Sequence, residues 1–401
     1  MSTILTILVA LVVMGGIAWV LRFAGQQVTN GAPFFRDMSF GVSFGYVLGV
    51  VVLAWLAWGF MQSRSSDPAI ANKFFFLGVA IKGFVIFSIA AWLFRLLGRT
   101  VGTDWTRKMF RQMPLTASFG ILAIIVYAIF AIFAGAIAPY GQDEIIQGVA
   151  ANIIPGGDPA MGGDPAFPLG TDQIGRDILS RLIYGAQNTV GIAFITTMLA
   201  FFLGGSLGFL AAVVGGWTDQ ILSRGVDVLM AIPSLIFALL LMTIASVWSS
   251  RLGIPLTVFM VLIIALIDST RVFRLARAVG QNIVVMDYIE AAKLRGEGMG
   301  YLVFKEILPN ATAPLLAEFG LRFCFVFLTI ASLSFLGVGI QPPLADWGTM
   351  VRDLAAFINF AQFAPLAATA PLLAASAIAL LTVAVNFVVD WMLHKTSGLK
   401  E

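Results

Sequence analysis

The chain has 401 residues, of which 59% are hydrophobic and 11% are charged, and its formal net charge is +3. This composition excludes a soluble globular protein and predicts an all-α polytopic membrane protein, because each spanning helix needs ~20 apolar residues. Cys324 and His394 are the only cysteine and histidine. An intrachain disulfide and a thiolate metal cluster are therefore excluded, and a histidine-based metal site or proton relay is disfavoured.

Nine apolar runs predict about nine transmembrane helices. In chain order they cover residues 3–21, 41–61, 74–97, 115–137, 187–214, 226–248, 254–267, 315–337 and 366–389. The first run could be a secretory signal, but no basic residue precedes it and no clear small-x-small cleavage site follows, which favours an uncleaved helix. The seventh run is short, so we expect it to extend through Thr270 or to lie in thinned bilayer.

Lysine and arginine residues predict the orientation of these spans. If the loop after Asp287 lies inside, the inner loops hold fifteen of them and the outer loops six. Because basic residues concentrate on the cytoplasmic side, we expect an extracytoplasmic N-terminus and a cytoplasmic C-terminus.

Three positive charges fall inside predicted spans, at Lys82, Arg95 and Arg322. An ionisable group within the membrane is a functional candidate by default. Arg95 is near the inner end of its span and can extend its charge to the interface. Glu318 precedes Arg322 by four residues, so the two charges can pair on one helix face. Lys82, Glu318 and Arg322 are therefore the candidate intramembrane charges.

The long loop after the fourth span contains a short repeat, Gly-Gly-Asp-Pro-Ala, at residues 156–160 and 162–166. Its two aspartates, Asp158 and Asp164, could bind calcium, but no ladder of oxygen ligands accompanies them. Glycine, aspartate and proline together favour turns instead.

A charged segment follows this repeat, just before the fifth span. It contains Asp172, Arg176, Asp177 and Arg181. These residues predict a capped amphipathic segment on the outer surface, at the entrance to the next span. Within that span, Gly204 and Gly208 allow close helix packing, either inside the bundle, which we favour, or against a partner.

A polar stretch at residues 287–309 lies between two spans. Asp287 and Glu290 have the spacing of a capping box, which predicts a short helix from Tyr288. Gly296 is expected to end it in the left-handed conformation. A second short helix is predicted at residues 301–307, ended by Pro309.

This stretch resembles the EAA loop of ABC importer permeases, with one departure: Glu306 stands where that pattern often has isoleucine. The matching residues are Glu290, Ala291, Ala292, Gly296, Leu308 and Pro309. The resemblance implies that these residues and Asp287 form a cytoplasmic coupling helix, within a loop of about residues 271–313, that docks in an ATPase cleft and transmits its closure. The two alanines would permit close approach to that cleft.

Several further motifs resemble those of the dipeptide, oligopeptide and nickel permease family. They are residues 169–172 (LGTD), 175–177 (GRD), 180–181 (SR), 184–185 (YG), 215–217 (GGW), 227–233 (DVLMAIP), 332–337 (SLSFLG), 341–343 (QPP) and 347–348 (WG). The resemblance begins near Leu115, so it implies a six-span permease domain at residues 99–401 after a three-span extension at residues 1–98. In such a domain Asp172, Arg176, Asp177 and Arg181 would lie near the outer gate and the binding protein.

The resemblance implies a permease subunit of a peptide importer in the bacterial inner membrane. Its partners would be a second permease subunit, two ABC ATPase subunits, an extracytoplasmic substrate-binding protein and membrane lipid, with no nucleic acid. The sequence has no Gly-x-x-x-x-Gly-Lys-Ser/Thr phosphate loop. We therefore expect no enzyme activity and no cofactor in this chain, with ATP and magnesium bound by the partner ATPases.

Two other classes of function remain as alternatives. A secondary carrier would use the intramembrane charges, but it predicts inverted repeats and midplane carboxylates, which the sequence does not display. A membrane scaffold or sensor would rest on the three additional N-terminal spans. The solute also stays open between peptides, nickel, opines and sugar–peptide conjugates.

Overall fold

The computed structural model describes residues 13–20, 39–65, 67, 74–361 and 364–397. Within these ranges the regular structure is helical apart from two isolated β-bridges. Eight of the described helices are long and apolar enough to cross a membrane, which confirms the all-α polytopic class. The first predicted span, residues 3–21, lies largely outside the described residues, and only its residues 13–20 are seen as helix.

The chain divides into two compact units, Met1–Val85 and Ile86–Glu401, and the division falls inside a helix. In the first unit, α1 covers Phe40–Gln62, and Ser39 caps it by accepting from the amide of Val42 at 3.3 Å. The next helix, α2, covers Phe75–Thr100, and its residues from Ile86 onward belong to the second unit.

The second unit contains the remaining helices. They are α3 (Asp104–Gln112), α4 (Leu115–Ile137), α5 (Ile178–Gly185), α6 (Gly191–Val214), α7 (Gly216–Met230), α8 (Ser234–Leu252), α9 (Leu256–Val284), α10 (Asp287–Leu294), α11 (Leu308–Phe335), α12 (Trp347–Leu354) and α13 (Thr369–Ser397). A π-helical turn, Ala186–Val190, joins α5 to α6 into one continuous span. Another, Leu302–Ile307, leads into α11.

Two predicted spans differ from the structure at their starts. The span predicted at 187–214 begins nine residues earlier, at Ile178, because the π turn continues the helix. The span predicted at 226–248 is interrupted at residues 231–233 and becomes α8. Pro233 explains the interruption, since proline has no amide hydrogen and forces the preceding residue out of the helical region.

The seventh and eighth spans are both longer than predicted. α9 has 29 residues and extends well beyond Thr270, so it can cross a bilayer without local thinning. The eighth span begins at Met299. The prediction that Pro309 ends a helix is therefore wrong: this proline lies in the first turn of α11, where its missing amide hydrogen costs little.

α6 and α9 form the most closely packed helix pair of the bundle. A Cβ atom on Gly204 would collide with the carbonyl oxygen of Ser269, and one on Gly208 would lie 2.6 Å from the carbonyl oxygen of Phe273. Larger residues at either glycine would force the backbones apart. The expected packing of this glycine pair inside the bundle is confirmed.

Candidate functional site

The polar stretch forms the helix α10, at the end of the bundle where α6 and α9 finish. The residue at its N-cap is Met286, and no side chain donates or accepts a capping hydrogen bond there. The predicted capping box is therefore wrong. Asp287 and Glu290 lie instead in the first helical turn, where their charges favour the positive end of the helix dipole.

The predicted stop at Gly296 is confirmed. Its φ is +81°, a conformation that glycine adopts without a steric penalty. The Gly296 amide donates to the Lys293 carbonyl at 3.0 Å, and the Glu297 amide donates to the Ala292 carbonyl at 3.2 Å. This pattern satisfies the last carbonyls of α10 and fixes the direction in which the chain leaves the helix.

Two residues anchor α10 to its own bundle. Ile289 and Ala292 are fully buried, in a cluster with Phe209 of α6 and Ala276 of α9. The opposite face is open, and we call it the α10 surface: Tyr288, Glu290, Ala291 and Leu294, all exposed. Of the two alanines expected to permit close approach, Ala291 lies on this surface and Ala292 faces the bundle.

The segment after α10 holds the residue that departs from the EAA pattern. Glu306 Oε1 lies 3.9 Å from Arg295 Nη2, across the turn made by Gly296. The side chain of Asn310 also donates to the Glu306 carbonyl, at 2.7 Å. Leu308 packs against the cluster that anchors α10, whereas Pro309 is exposed.

The predicted outer-gate residues come together at the opposite end of the bundle. Asp172 Oδ1 accepts from the amides of Ile174 and Arg176, at 3.1 and 3.0 Å. Its Oδ2 lies 2.7 Å from Arg176 Nε and 3.7 Å from Arg181 Nε. Asp177 caps α5 by accepting from the amide of Ser180 at 2.8 Å. The predicted cap at the entrance to this span is therefore present, but it is buried rather than laid on the surface.

Sequence analysis missed Asp346 and Thr189, which close this end of the bundle, and it singled out Trp347 only as part of a matched motif. Asp346 is fully buried, caps α12 through the Thr349 amide at 2.8 Å, and accepts from Thr189 Oγ1 at 2.7 Å. Burial raises the pKa of Asp346, and these hydrogen bonds act against that rise. Trp347 Nε1 donates to the Leu182 carbonyl at 2.9 Å. The one local sign of this arrangement is the Asp-x-x-Thr spacing of a helix cap.

We call the polar and aromatic residues at this end of the bundle the loop network: Asp172, Asp177, Arg181, Thr189, Asp346 and Trp347. Trp347 is 1% exposed and packs edge-on against Tyr127 and Phe327, with ring centroids 5.4 and 6.1 Å away. Through Thr189 and the Leu182 carbonyl, the network joins α5 and the π turn after it to the start of α12.

The aspartates of the Gly-Asp-Pro repeat are engaged with the backbone. Asp158 accepts from the amide of Ala160 at 3.0 Å, and Asp164 accepts from that of Ala166 at 2.9 Å. Both form short turns, as the composition predicts.

The intramembrane charges separate into two environments. Glu318 Oε1 lies 2.7 Å from Arg322 Nε, so the predicted pair forms on α11. Arg322 Nη1 also lies 3.8 Å from Asp268 Oδ1 of α9, a buried carboxylate that sequence analysis missed. Lys82 is exposed on α2, and no ion pair joins it to another described residue.

Two further ion pairs tie α7 to α9. Arg274 Nη2 donates to Asp227 Oδ1 at 2.6 Å, and Arg277 Nη2 donates to Asp219 Oδ2 at 2.6 Å. The hydrogen bond from Arg277 lowers the pKa of the Asp219 carboxyl. The short helix α7 is therefore fixed to α9 through its polar face.

The sequence that forms these helices matches a known family. The family described as binding-protein-dependent transport system inner membrane component matches residues 204–395. The dipeptide transport system permease protein DppC of Haemophilus influenzae is 36% identical over 249 residues, which are 62% of this chain and 80% of that protein. The chain belongs to this family.

Two other relatives give the same assignment. DppC of Escherichia coli K12 is 37% identical over 260 residues, 64% of this chain and 81% of that protein. The peptide transport system permease protein SapC of Escherichia coli O6:H1 is 33% identical over 266 residues, 66% of this chain and 84% of that protein. The protein is thus a multi-pass membrane permease of an ABC importer, and its family works with a binding protein and ATPase subunits.

Proposed function

We propose that this permease imports peptides or related small solutes and that α10 couples its bundle to a separate ATPase subunit. The α10 surface carries this proposal. Ile289 and Ala292 fix one face of the helix to α6 and α9, while Glu290 and Ala291 on the other face are exposed. A helix held in this way moves with its bundle and still offers a partner a small, close-packing face.

The expected complex contains a second permease subunit, two ATPase subunits and an extracytoplasmic binding protein. The proposal of peptide solutes rests on the names of the relatives, which are dipeptide and peptide permeases. ATP and magnesium would act in the ATPase subunits, and this chain would supply no cofactor site. The residues given an ATPase-coupling role are Asp287, Glu290, Ala291, Ala292, Gly296, Leu308 and Pro309.

The docking proposal is tested by placing a large side chain on the α10 surface. We expect Ala291→Trp to abolish co-purification of the ATPase subunits with this permease, because the bulky ring prevents close approach. Ala160→Trp is the matched control, since Ala160 is also exposed but lies in the loop before α5. Normal ATPase recovery with Ala291→Trp would refute docking at this surface.

Orientation is tested by reporter fusions. The basic-residue asymmetry predicts extracytoplasmic signals after Met61 and near Pro159, and cytoplasmic signals near Gly298 and after Lys395. A cytoplasmic signal near Pro159 would place Asp172, Arg176, Asp177 and Arg181 on the side of the ATPases and remove their proposed outer-gate role.

A further inference from the structure

Four charged side chains gather between α9 and α11, midway along both helices. They are Asp268 and Arg271 of α9 and Glu318 and Arg322 of α11, and we call them the midplane cluster. Arg271 Nη1 and Arg322 Nη1 each lie 3.8 Å from Asp268 Oδ1, and Arg322 Nε lies 2.7 Å from Glu318 Oε1. Two positive and two negative groups therefore form one connected, formally neutral cluster.

The length of α9 places the cluster inside the membrane. The helix has 29 residues, so it is roughly 43 Å long at about 1.5 Å per residue. Asp268 and Arg271 lie roughly 18 and 22 Å from its start. Wherever a ~30 Å hydrocarbon core is placed along the length of this helix, both residues lie at least ~5 Å inside it.

One side of the cluster is open. The side chain of Arg271 is 40% exposed and that of Glu318 is 22% exposed. Phe325, which is 49% exposed, lies beneath both guanidinium groups, with 5.9 Å from its ring centroid to Arg271 Cζ and 4.7 Å to Arg322 Cζ. An exposed arginine at this depth is costly against lipid, so the open side must meet water or protein.

The cluster also retains hydrogen-bonding capacity. Arg322 is 9% exposed, and its Nη1 has no hydrogen-bond partner among the described residues. The same holds for Asp268 Oδ1. Both atoms are buried and lie 3.8 Å from each other, and buried polar atoms are normally hydrogen-bonded by protein or by ordered water. The interior of the cluster can therefore accept an ordered water molecule behind its exposed members, Arg271 and Glu318.

We propose that the midplane cluster and Phe325 line the water-filled passage through which the solute moves. The solute class that fits is a zwitterion with free amino and carboxyl ends, such as a short peptide, and this part rests on the proposed function. Arg271 would contact the carboxylate, Glu318 would contact the ammonium group, and Phe325 would offer an apolar surface between them. Because the cluster is neutral, it can exchange internal pairs for solute contacts without leaving a net buried charge.

The passage is tested by cysteine accessibility in the assembled transporter. Cys324, the only cysteine of the chain, is buried, so Cys324→Ala gives a background in which Phe325→Cys and Leu266→Cys are each introduced. Leu266, 45% exposed on the opposite side of α9, is the matched control. Both positions lie roughly 15 Å from the same end of the bundle.

We expect a membrane-impermeant methanethiosulfonate cation to modify Phe325→Cys at least about ten-fold faster than Leu266→Cys, and we expect dialanine to slow the reaction. A ten-fold difference in reaction rate corresponds to a difference of roughly 1.4 kcal/mol in the activation free energy of modification. Equal, slow modification of both cysteines would show that lipid or a partner subunit covers this face. That result would overturn the proposal.

The solute contact is tested separately with Arg271→Gln, Arg271→Lys and, as a control outside the cluster, Arg251→Gln. We expect Arg271→Gln to raise the KM for dialanine uptake about ten-fold, Arg271→Lys to restore most of it, and Arg251→Gln to leave it unchanged. An unchanged KM in Arg271→Gln would refute the carboxylate contact. If the unmodified transporter takes up no dialanine while Phe325→Cys still reacts rapidly, the peptide assignment fails and the passage stands.

Discussion

The two ends of the bundle use their polar groups in opposite ways. In the loop network, Asp172, Asp177 and Asp346 are at most 6% exposed, and each accepts hydrogen bonds from nearby backbone amides. On the α10 surface, Glu290 and Ala291 are exposed, and the helix start has no side-chain cap. One end is closed by its own contacts, and the other leaves its polar groups free for a partner.

This difference separates stability from coupling. A substitution in the loop network removes a buried contact, so it should lower the free energy of unfolding whether or not partners are present. A substitution on the α10 surface removes little from the isolated chain and should change assembly or transport instead. Variants at the two ends therefore test the comparison through different measurements.

The largest expected effect is at Trp347, the fully buried ring of the loop network. Trp347→Ala should lower the free energy of unfolding by about 3–5 kcal/mol, because it leaves a cavity and removes the Nε1 hydrogen bond. Trp217→Ala is the matched control, since Trp217 is 79% exposed on α7. Thermal unfolding of the purified permease in detergent measures both. Equal unfolding midpoints for the two variants would contradict the conclusion that buried contacts of the loop network stabilise this end of the bundle.

The second prediction concerns Gly296, at the end of α10. Gly296→Val should leave the yield of folded protein nearly normal but reduce ATP-dependent uptake several-fold. A side chain in the left-handed region costs about 1–2 kcal/mol, which would unwind the last turn of α10 and disturb its surface. The measurement is uptake at matched membrane abundance, together with ATPase co-purification.

Gly298→Val is the control for Gly296→Val. Gly298 has a φ of −76°, which valine adopts readily, and open space surrounds its Cβ position. If both valine variants lost uptake equally, bulk near α10 rather than backbone conformation would be responsible.

Local features of the fold were predictable from sequence, and contacts between distant segments were not. The stop at Gly296 follows from the conformational freedom of one residue, and the pairing of Glu318 with Arg322 follows from helical spacing. Asp346 and Thr189 are 157 positions apart, so only the folded chain shows their hydrogen bond. Asp268 was missed because it lies just beyond the short apolar run by which its span was recognised.

The predicted capping box shows how a local pattern can mislead. Asp287 and Glu290 have the required spacing, but the chain enters α10 with Met286 already at the N-cap position. The burial of Ile289 and Ala292 against α6 and α9 sets this register, and a cap is worth only about 1 kcal/mol against such packing. Pro309 is a similar case. The π turn Leu302–Ile307 runs directly into α11, so the helical chain continues through this proline instead of ending there.

The third prediction is a moderate loss at Asp177, the cap of α5. Asp177→Ala should lower the free energy of unfolding by about 1 kcal/mol, since the amide of Ser180 loses its acceptor at a buried position. Asp158→Ala removes an exposed cap of a three-residue turn and should have a smaller effect. Thermal unfolding under the same conditions ranks the two, and a larger shift for Asp158→Ala would reverse the assignment of Asp177 to the closed end.

The smallest expected effect is at Glu290, on the open α10 surface. Because Glu290 makes no capping hydrogen bond, Glu290→Ala removes from the isolated chain only a favourable charge near the helix start, worth about 0.3–1 kcal/mol. We expect an unfolding midpoint within about one degree of the parent, with a modest fall in ATPase recovery and uptake. Glu290→Gln keeps the shape of the side chain and separates charge from size. A clear drop in the unfolding midpoint without any change in ATPase recovery would mean that Glu290 supports the fold of α10, and the division between a closed end and an open end would then fail at this residue.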